Sequence, residues 1–148
     1  MSTPSVAEII IARCQVSSAA EDPDYRQSIR CGRHEMIADE RAPQGGADAG
    51  ARPFEYLLAG LGACTLITLR MYAHRKGWDI GAAAVSLSLR QAKDGRKIDR
   101  RVTLSGALSA EQLAKLSEIS EKTPVTLVIK SGIDVRTVLA TASLESMG

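Results

Sequence analysis

Aromatic residues make up only 3% of this 148-residue chain, with one Phe and one Trp, so the core must rest on Leu, Ile, Val and Ala. Charge of one sign is scarce as well. The 19 Lys and Arg nearly balance the 17 Asp and Glu, leaving a net charge of +2. The basic residues are scattered, and a nucleic-acid footprint needs them clustered. Cysteine occurs three times, an odd number without framework spacing, which argues against a disulfide-stapled secreted domain. The N-terminus lacks the basic, apolar and small-residue succession of a signal peptide. The longest apolar run, around Leu57 to Leu69, carries Gly, Thr and Cys and is too short and too broken to mark a membrane span. These absences predict a cytoplasmic protein that engages neither nucleic acid nor membrane.

What the chain does have is one long apolar segment punctuated at both ends, Pro53 to Trp78. Pro53 suits a first helical position, where its missing N–H is not needed. His74, Arg75 and Lys76 fall where positive charge complements the helix dipole, and Gly77 sits at the place of a left-handed C-cap. The predicted helix runs roughly 36 Å. With so little polar face it should be buried on most sides. Gly60 and Gly62 within it each cost about 1 kcal/mol of helix propensity relative to alanine. Close approach of another backbone is the usual compensation, and a second subunit could supply it.

Ahead of this helix the sequence reads as strands: Val6 to Val16, then Tyr25 to Arg30 and His34 to Ala38, with a turn over Ser17 to Asp24. Asp39 to Arg52 holds Pro43, Gly45, Gly46 and Gly50 and reads as a loop, long enough to be functional. Asp39 and Glu40 either order that loop through backbone N–H groups or are solvated. After the helix, Val85, Leu87 and Leu89 alternate with polar residues as in a half-buried strand. Asp94-Gly95 signals a tight hairpin, and Ile98, Arg100, Val102 and Leu104 share one face of the return strand. Arg100 is the exception on that apolar face, which calls for a carboxylate partner or a path to solvent.

Ser109 and Gln112 match a capping box for a second helix with Leu113, Leu116 and Ile119 as its stripe. Thr123-Pro124 suits a helix start, yet Val125, Leu127, Val128 and Ile129 also suit a strand. Ile133 to Leu139 reads as a final strand. Strands, helix, hairpin, helix and strand in this order predict an α+β fold with the long helix across antiparallel sheet. Residues 1–148 should form a single domain, with a loop over 40–52 and a flexible tail over 140–148.

Cys64, near the middle of the long helix, is either core packing or a nucleophile in a dry, shaped site. On physics alone packing is the simpler reading. The nucleophile is a thiolate, which burial disfavours, and mid-helix the dipole offers little. A neighbouring guanidinium would be needed, and Arg13, Arg26, Arg30, Arg33, Arg41 and Arg52 lie upstream. Cys14 and Cys31, on or beside strand candidates, read as structural. The two histidines have no ligand spacing with any cysteine, so no metal or other cofactor is expected.

His34-Glu35-Met36-Ile37-Ala38-Asp39-Glu40, the loop Gly45 to Gly50, and Pro53 to Trp78 with Ala63-Cys64-Thr65 resemble the OsmC/Ohr family, and its OsmC-like branch in particular. The likeness continues through Arg100, Gly106-Ala107-Leu108, Glu111-Gln112 and Thr123-Pro124-Val125 into the final strand. The resemblance implies an intertwined homodimer and thiol-dependent reduction of small organic hydroperoxides, with an external thiol as reductant. It makes Cys64 the peroxidatic residue. It also places Thr123 where active members carry a second, resolving cysteine, and a hydroxyl cannot form that disulfide. The family's catalytic glutamate directly follows the helix-opening proline, whereas here Phe54 does and Glu55 comes next. One residue turns a side chain by about 100°, so Glu55 is expected to miss a catalytic arginine and to stabilise the helix N-terminus instead. Two functions follow: a one-cysteine peroxidase, or an inactive dimer that binds a small apolar ligand or acts as a scaffold.

Overall fold

The computed structural model describes residues 7–141. Among these residues, two small antiparallel sheets and three α-helices make up an α+β architecture. Packing divides it into two compact units. One is built from the chain up to Gly60 with Ser88–Asp99, the other from Leu61–Leu87 with the chain from Arg100 onward.

In the first unit, β1 (Gln15–Ser17), β2 (Gln27–Cys31) and β3 (His34–Ala38) form a meander in the order β1-β2-β3. Gly32 turns β2 into β3 at φ 61°, as a two-residue hairpin requires at its first central position. The predicted strand over Val6 to Val16 shrinks to three residues, and Val6 lies outside the described part. Its register explains the loss: Gln15 pairs with Arg30, and one pair beyond Cys14 the partner strand has already turned at Gly32. Ile9, Ile10 and Ile11 are left exposed. The same register sets Cys14 opposite Cys31, and the two are joined in a disulfide with Cα atoms 4.6 Å apart. The odd count, read as an argument against disulfide stapling, left one thiol over, while a strand pairing 17 residues apart in sequence joined Cys14 and Cys31.

The long helix, α1, spans Pro53–Lys76. Gly77, at φ 69°, ends it. Trp78 N–H bonds to Ala73 C=O at 2.9 Å and Gly77 N–H to His74 C=O, the two bonds of a glycine-terminated helix. By length and mean hydropathy, 1.3 over its apolar window, α1 is long and apolar enough to cross a membrane. Its buried residues nonetheless form one stripe, Leu61, Gly62, Thr65, Leu69 and Ala73, so burial on most sides is not what the chain shows. Phe54, Leu57, Ile67 and Met71 remain exposed.

In the second unit, Leu69 and Ala73 pack with Ile80 and Leu116, flanked by Tyr72, Trp78, Val102, Leu104 and Ile119. Strands β4 (Ala83–Ala92) and β5 (Gly95–Leu104) form the hairpin, of which Ser88–Asp99 is counted with the first unit, with the predicted alternation of half-buried and exposed residues. Gly62 explains its own presence, because a Cβ there would come within 2.9 Å of Leu87 and 3.1 Å of Val85 on β4. The capping box opens α2 (Ala110–Ser120), with Ser109 Oγ accepting from Gln112 N–H and the Gln112 side chain accepting from Ser109 N–H. After it, Thr123 is the N-cap of α3 (Pro124–Ser131), which settles the open choice for helix. No strand forms over Ile133 to Leu139, and Ile133, Val135, Val138 and Leu139 are exposed. A β-branched run pairs only where an edge with free N–H and C=O groups is presented to it. Of the predicted tail, residues 142–148 lie outside the described part.

Candidate functional site

Cys64 is a free, half-buried thiol on the fourth turn's worth of chain into α1, its Sγ 4.0 Å from the hydroxyl of Thr68 one turn on. The next residue, Thr65, is fully buried. Its hydroxyl donates to Leu61 C=O at 2.7 Å and accepts from Arg100 Nη1 at 2.9 Å. The same nitrogen donates to Thr126 Oγ1 at 2.9 Å. Nη2 donates to Ser120 C=O at 2.8 Å and lies 3.6 Å from the Glu121 carboxylate. Arg100 therefore answers the sequence puzzle with a carboxylate in the α2–α3 connection and three neutral oxygens. Its side chain is only 11% exposed, so solvent is not its main partner.

The network ends at the predicted position of the second cysteine. Thr123 is fully buried, and its Oγ1 lies 2.6 Å from Thr126 Oγ1. Arg100 thus ties the turn of α1 that carries Cys64 to the first turn of α3. Thr65 and Thr126 were not singled out from sequence. The available signal was local: Thr123 and Thr126 are the N-cap and N3 residues of a Pro-initiated helix. Lys130 first, then Arg100, holds the Glu121 carboxyl below the usual glutamate range.

Glu55 belongs to the other unit. Its Oε2 accepts from Arg52 N–H at 2.8 Å, a glutamate at N3 reaching back to the residue ahead of the helix. Its Oε1 accepts from Arg52 Nη2 at 3.0 Å and Arg41 Nη2 at 3.3 Å. The backbone N–H of Arg52, then its guanidinium and the charge of Arg41, hold the Glu55 carboxyl below its ordinary value. Glu55 thus serves the helix N-terminus and meets two arginines at once.

Asp39 organises the loop before the helix. Its carboxylate is buried and accepts from the N–H groups of Glu40 at 2.8 Å, Ala47 at 3.2 Å and Ala49 at 3.0 Å. Those bonds, that of Ala49 foremost, keep its carboxyl below the usual range. The open choice between an ordering and a solvated Asp39 falls to ordering. Gly46 and Gly50 permit it, since a Cβ at either would strike the Glu40 or Ile37 carbonyl.

The OsmC-like protein family model matches residues 45–138, a span that holds α1 with Cys64, the hairpin with Arg100, and both later helices. The chain belongs to the OsmC-like family. Solved structures with the OsmC-like fold include a putative osmotic stress induced and detoxification response protein from Psychrobacter arcticus 273-4, with a TM-score of 0.69 and 18% identity over 82% of this chain and 90% of that one. The organic hydroperoxide resistance protein OsmC of Legionella pneumophila gives 0.61 and 16% over 88% and 96%. A putative organic hydroperoxide resistance protein from Vibrio cholerae, with captopril bound in one of its active sites, gives 0.59 and 17% over 85% and 90%. Identities this low show the fold alone. No curated protein matches the sequence.

Proposed function

We propose that this OsmC-like chain reduces organic hydroperoxides through Cys64 alone. The observation that carries the reading is the free thiol held mid-helix, beside the Thr65–Arg100–Thr126 network that fixes the start of α3. The hydroperoxide resistance proteins among its structural neighbours support it. The Cys64 thiolate attacks the outer peroxide oxygen, the O–O bond breaks, and an alcohol leaves as sulfenic acid forms on Sγ. An external thiol then condenses with the sulfenic acid, releasing water and leaving a mixed disulfide, and a second thiol frees Cys64.

The working unit in this reading is a cytoplasmic homodimer. Exposed Phe54, Leu57, Ile67 and Met71 on α1 and exposed Ile133, Val135, Val138 and Leu139 after α3 support a second copy as the missing cover. Thr123 favours a second reading, an inactive dimer that binds a small apolar ligand or serves as a scaffold, because its buried hydroxyl is already engaged by Thr126. Mass spectrometry after stoichiometric cumene hydroperoxide separates the two. The peroxidase reading expects one added oxygen on Cys64 and release of cumyl alcohol. An unmodified Cys64 with intact peroxide gives the second reading the field.

A further inference from the structure

The Cys14–Cys31 disulfide does not lie in a core. Cys14 is exposed and Cys31 half-buried, so the bridge lies at the surface. A shallow cleft of about 600 Å³ opens beside Cys14, with Arg13 and Arg30 among its lining and Ile10 and Ala12 as an apolar wall. Arg30 is held in place by a 2.8 Å bond from its Nη2 to Gln15 Oε1 across the strand pair. Two arginines, a short apolar wall and the exposed Cys14 share one concave surface.

We propose that this cleft is a thiol–disulfide exchange site for a small anionic thiol. A stapling disulfide gains nothing from a cationic cleft at its sulfur. An exchange site does, because a concave surface of one charge raises the local concentration of the opposite ion, and the attacking species is itself a thiolate. The donor's thiolate attacks Cys14 Sγ, the Cys14–Cys31 bond breaks, and Cys31 leaves as thiolate. A second donor thiol then attacks the donor sulfur of the mixed disulfide and releases Cys14. Two electrons pass to the protein, the two donor protons end on Cys14 and Cys31, and the donor departs as its own disulfide. This site is independent of the Cys64 reading.

The test uses the full chain with Cys64→Ser, so that only Cys14 and Cys31 report. The oxidised protein is treated anaerobically with 2-mercaptoethanesulfonate or with neutral 2-mercaptoethanol, and free thiols are counted by alkylation and mass spectrometry. The anionic thiol should reduce the bond at least about 10-fold faster at low salt. That advantage should shrink as salt screens the cleft and fall in Arg13→Gln and Arg30→Gln. With Cys31→Ser added, the disulfide of 2-mercaptoethanesulfonate should leave its adduct on Cys14. Equal rates for the two thiols, an advantage that survives both arginine substitutions, or no adduct on Cys14 would overturn the proposal.

Discussion

Arg100 on β5 donates to Thr65 on α1 at 2.9 Å, and this bond is where the hairpin, the cysteine-bearing helix and the α2–α3 connection meet. The guanidinium is almost enclosed, so its partners are protein oxygens with little access to water. Arg100→Leu should destabilise the chain by about 3 kcal/mol, the range for breaking a buried charged network. Chemical denaturation with a two-state fit checks this. A loss below about 0.5 kcal/mol would mean the network is replaceable by packing.

Restoring a second thiol tests the link between the two ends of that network. In Thr123→Cys the small volume change should leave the fold intact. A disulfide with Cys64 should form on peroxide treatment, which requires Cα atoms roughly 4.4–6.8 Å apart. Peptide mapping would show it. Bond formation together with dithiol-dependent turnover would mean that only the resolving thiol is missing, whereas a bond without turnover would point to lost activation of Cys64.

Wild-type protein under excess peroxide should climb the oxidation ladder instead. With Thr123 in place, Cys64 should pass through sulfenic to sulfinic acid, read as successive 16 Da steps of about one oxygen each. Cys14 and Cys31 are already joined and offer no thiol, so a disulfide from Cys64 to either would mean that their bond had opened first.

Gly60 tests the dimer. A Cβ there meets nothing within 4 Å in the single chain, so Gly60→Ala should stabilise an isolated helix by about 1 kcal/mol. If a partner backbone approaches at this point, the same substitution weakens association. Sedimentation at low micromolar concentration should find wild type dimeric and the variant shifted toward monomer. A variant that is more stable and equally dimeric would place the interface elsewhere.

Acid should loosen the loop that precedes α1. Asp39 has its carboxyl below the ordinary 3.8 in the folded chain, and Glu55 below 4.5. A depressed folded value means the unfolded chain binds the proton first. The stabilisation is therefore complete above the ordinary value and lost as pH falls through the folded one. Amide exchange at Ala47 and Ala49 should accelerate selectively in that range. Asp39→Asn should accelerate it already at neutral pH and flatten its acid dependence.

The local code was legible. Ser109 and Gln112 mark their helix start, the β4–β5 alternation shows its buried face, and Pro53 and Gly77 bracket α1, because each signal lies within a few residues of its effect. Pairings were not. The β-branched run after Gly132 has strand propensity but no edge beside it in the chain, and Cys14 meets Cys31 only through a register that no single segment specifies. At the candidate site, family likeness is what singles out Cys64 and Thr123. The hydrogen bonds that join their neighbourhoods through Arg100 cross 35 and 26 residues and leave no local trace.

Those sequence separations also set an order of assembly. Helix α1 can form from its own residues, whereas Arg100 closes on Thr65, Thr126 and Ser120 only after the hairpin has paired and both later helices have arrived. Non-local contacts of this kind form late. A chain refolded from its reduced state starts with three thiols, and Cys64 can then compete with Cys31 for Cys14. A newly made chain in an oxidising medium is therefore exposed to trapping in a wrong pairing, and Cys64→Ser should raise its refolding yield there by removing the competitor.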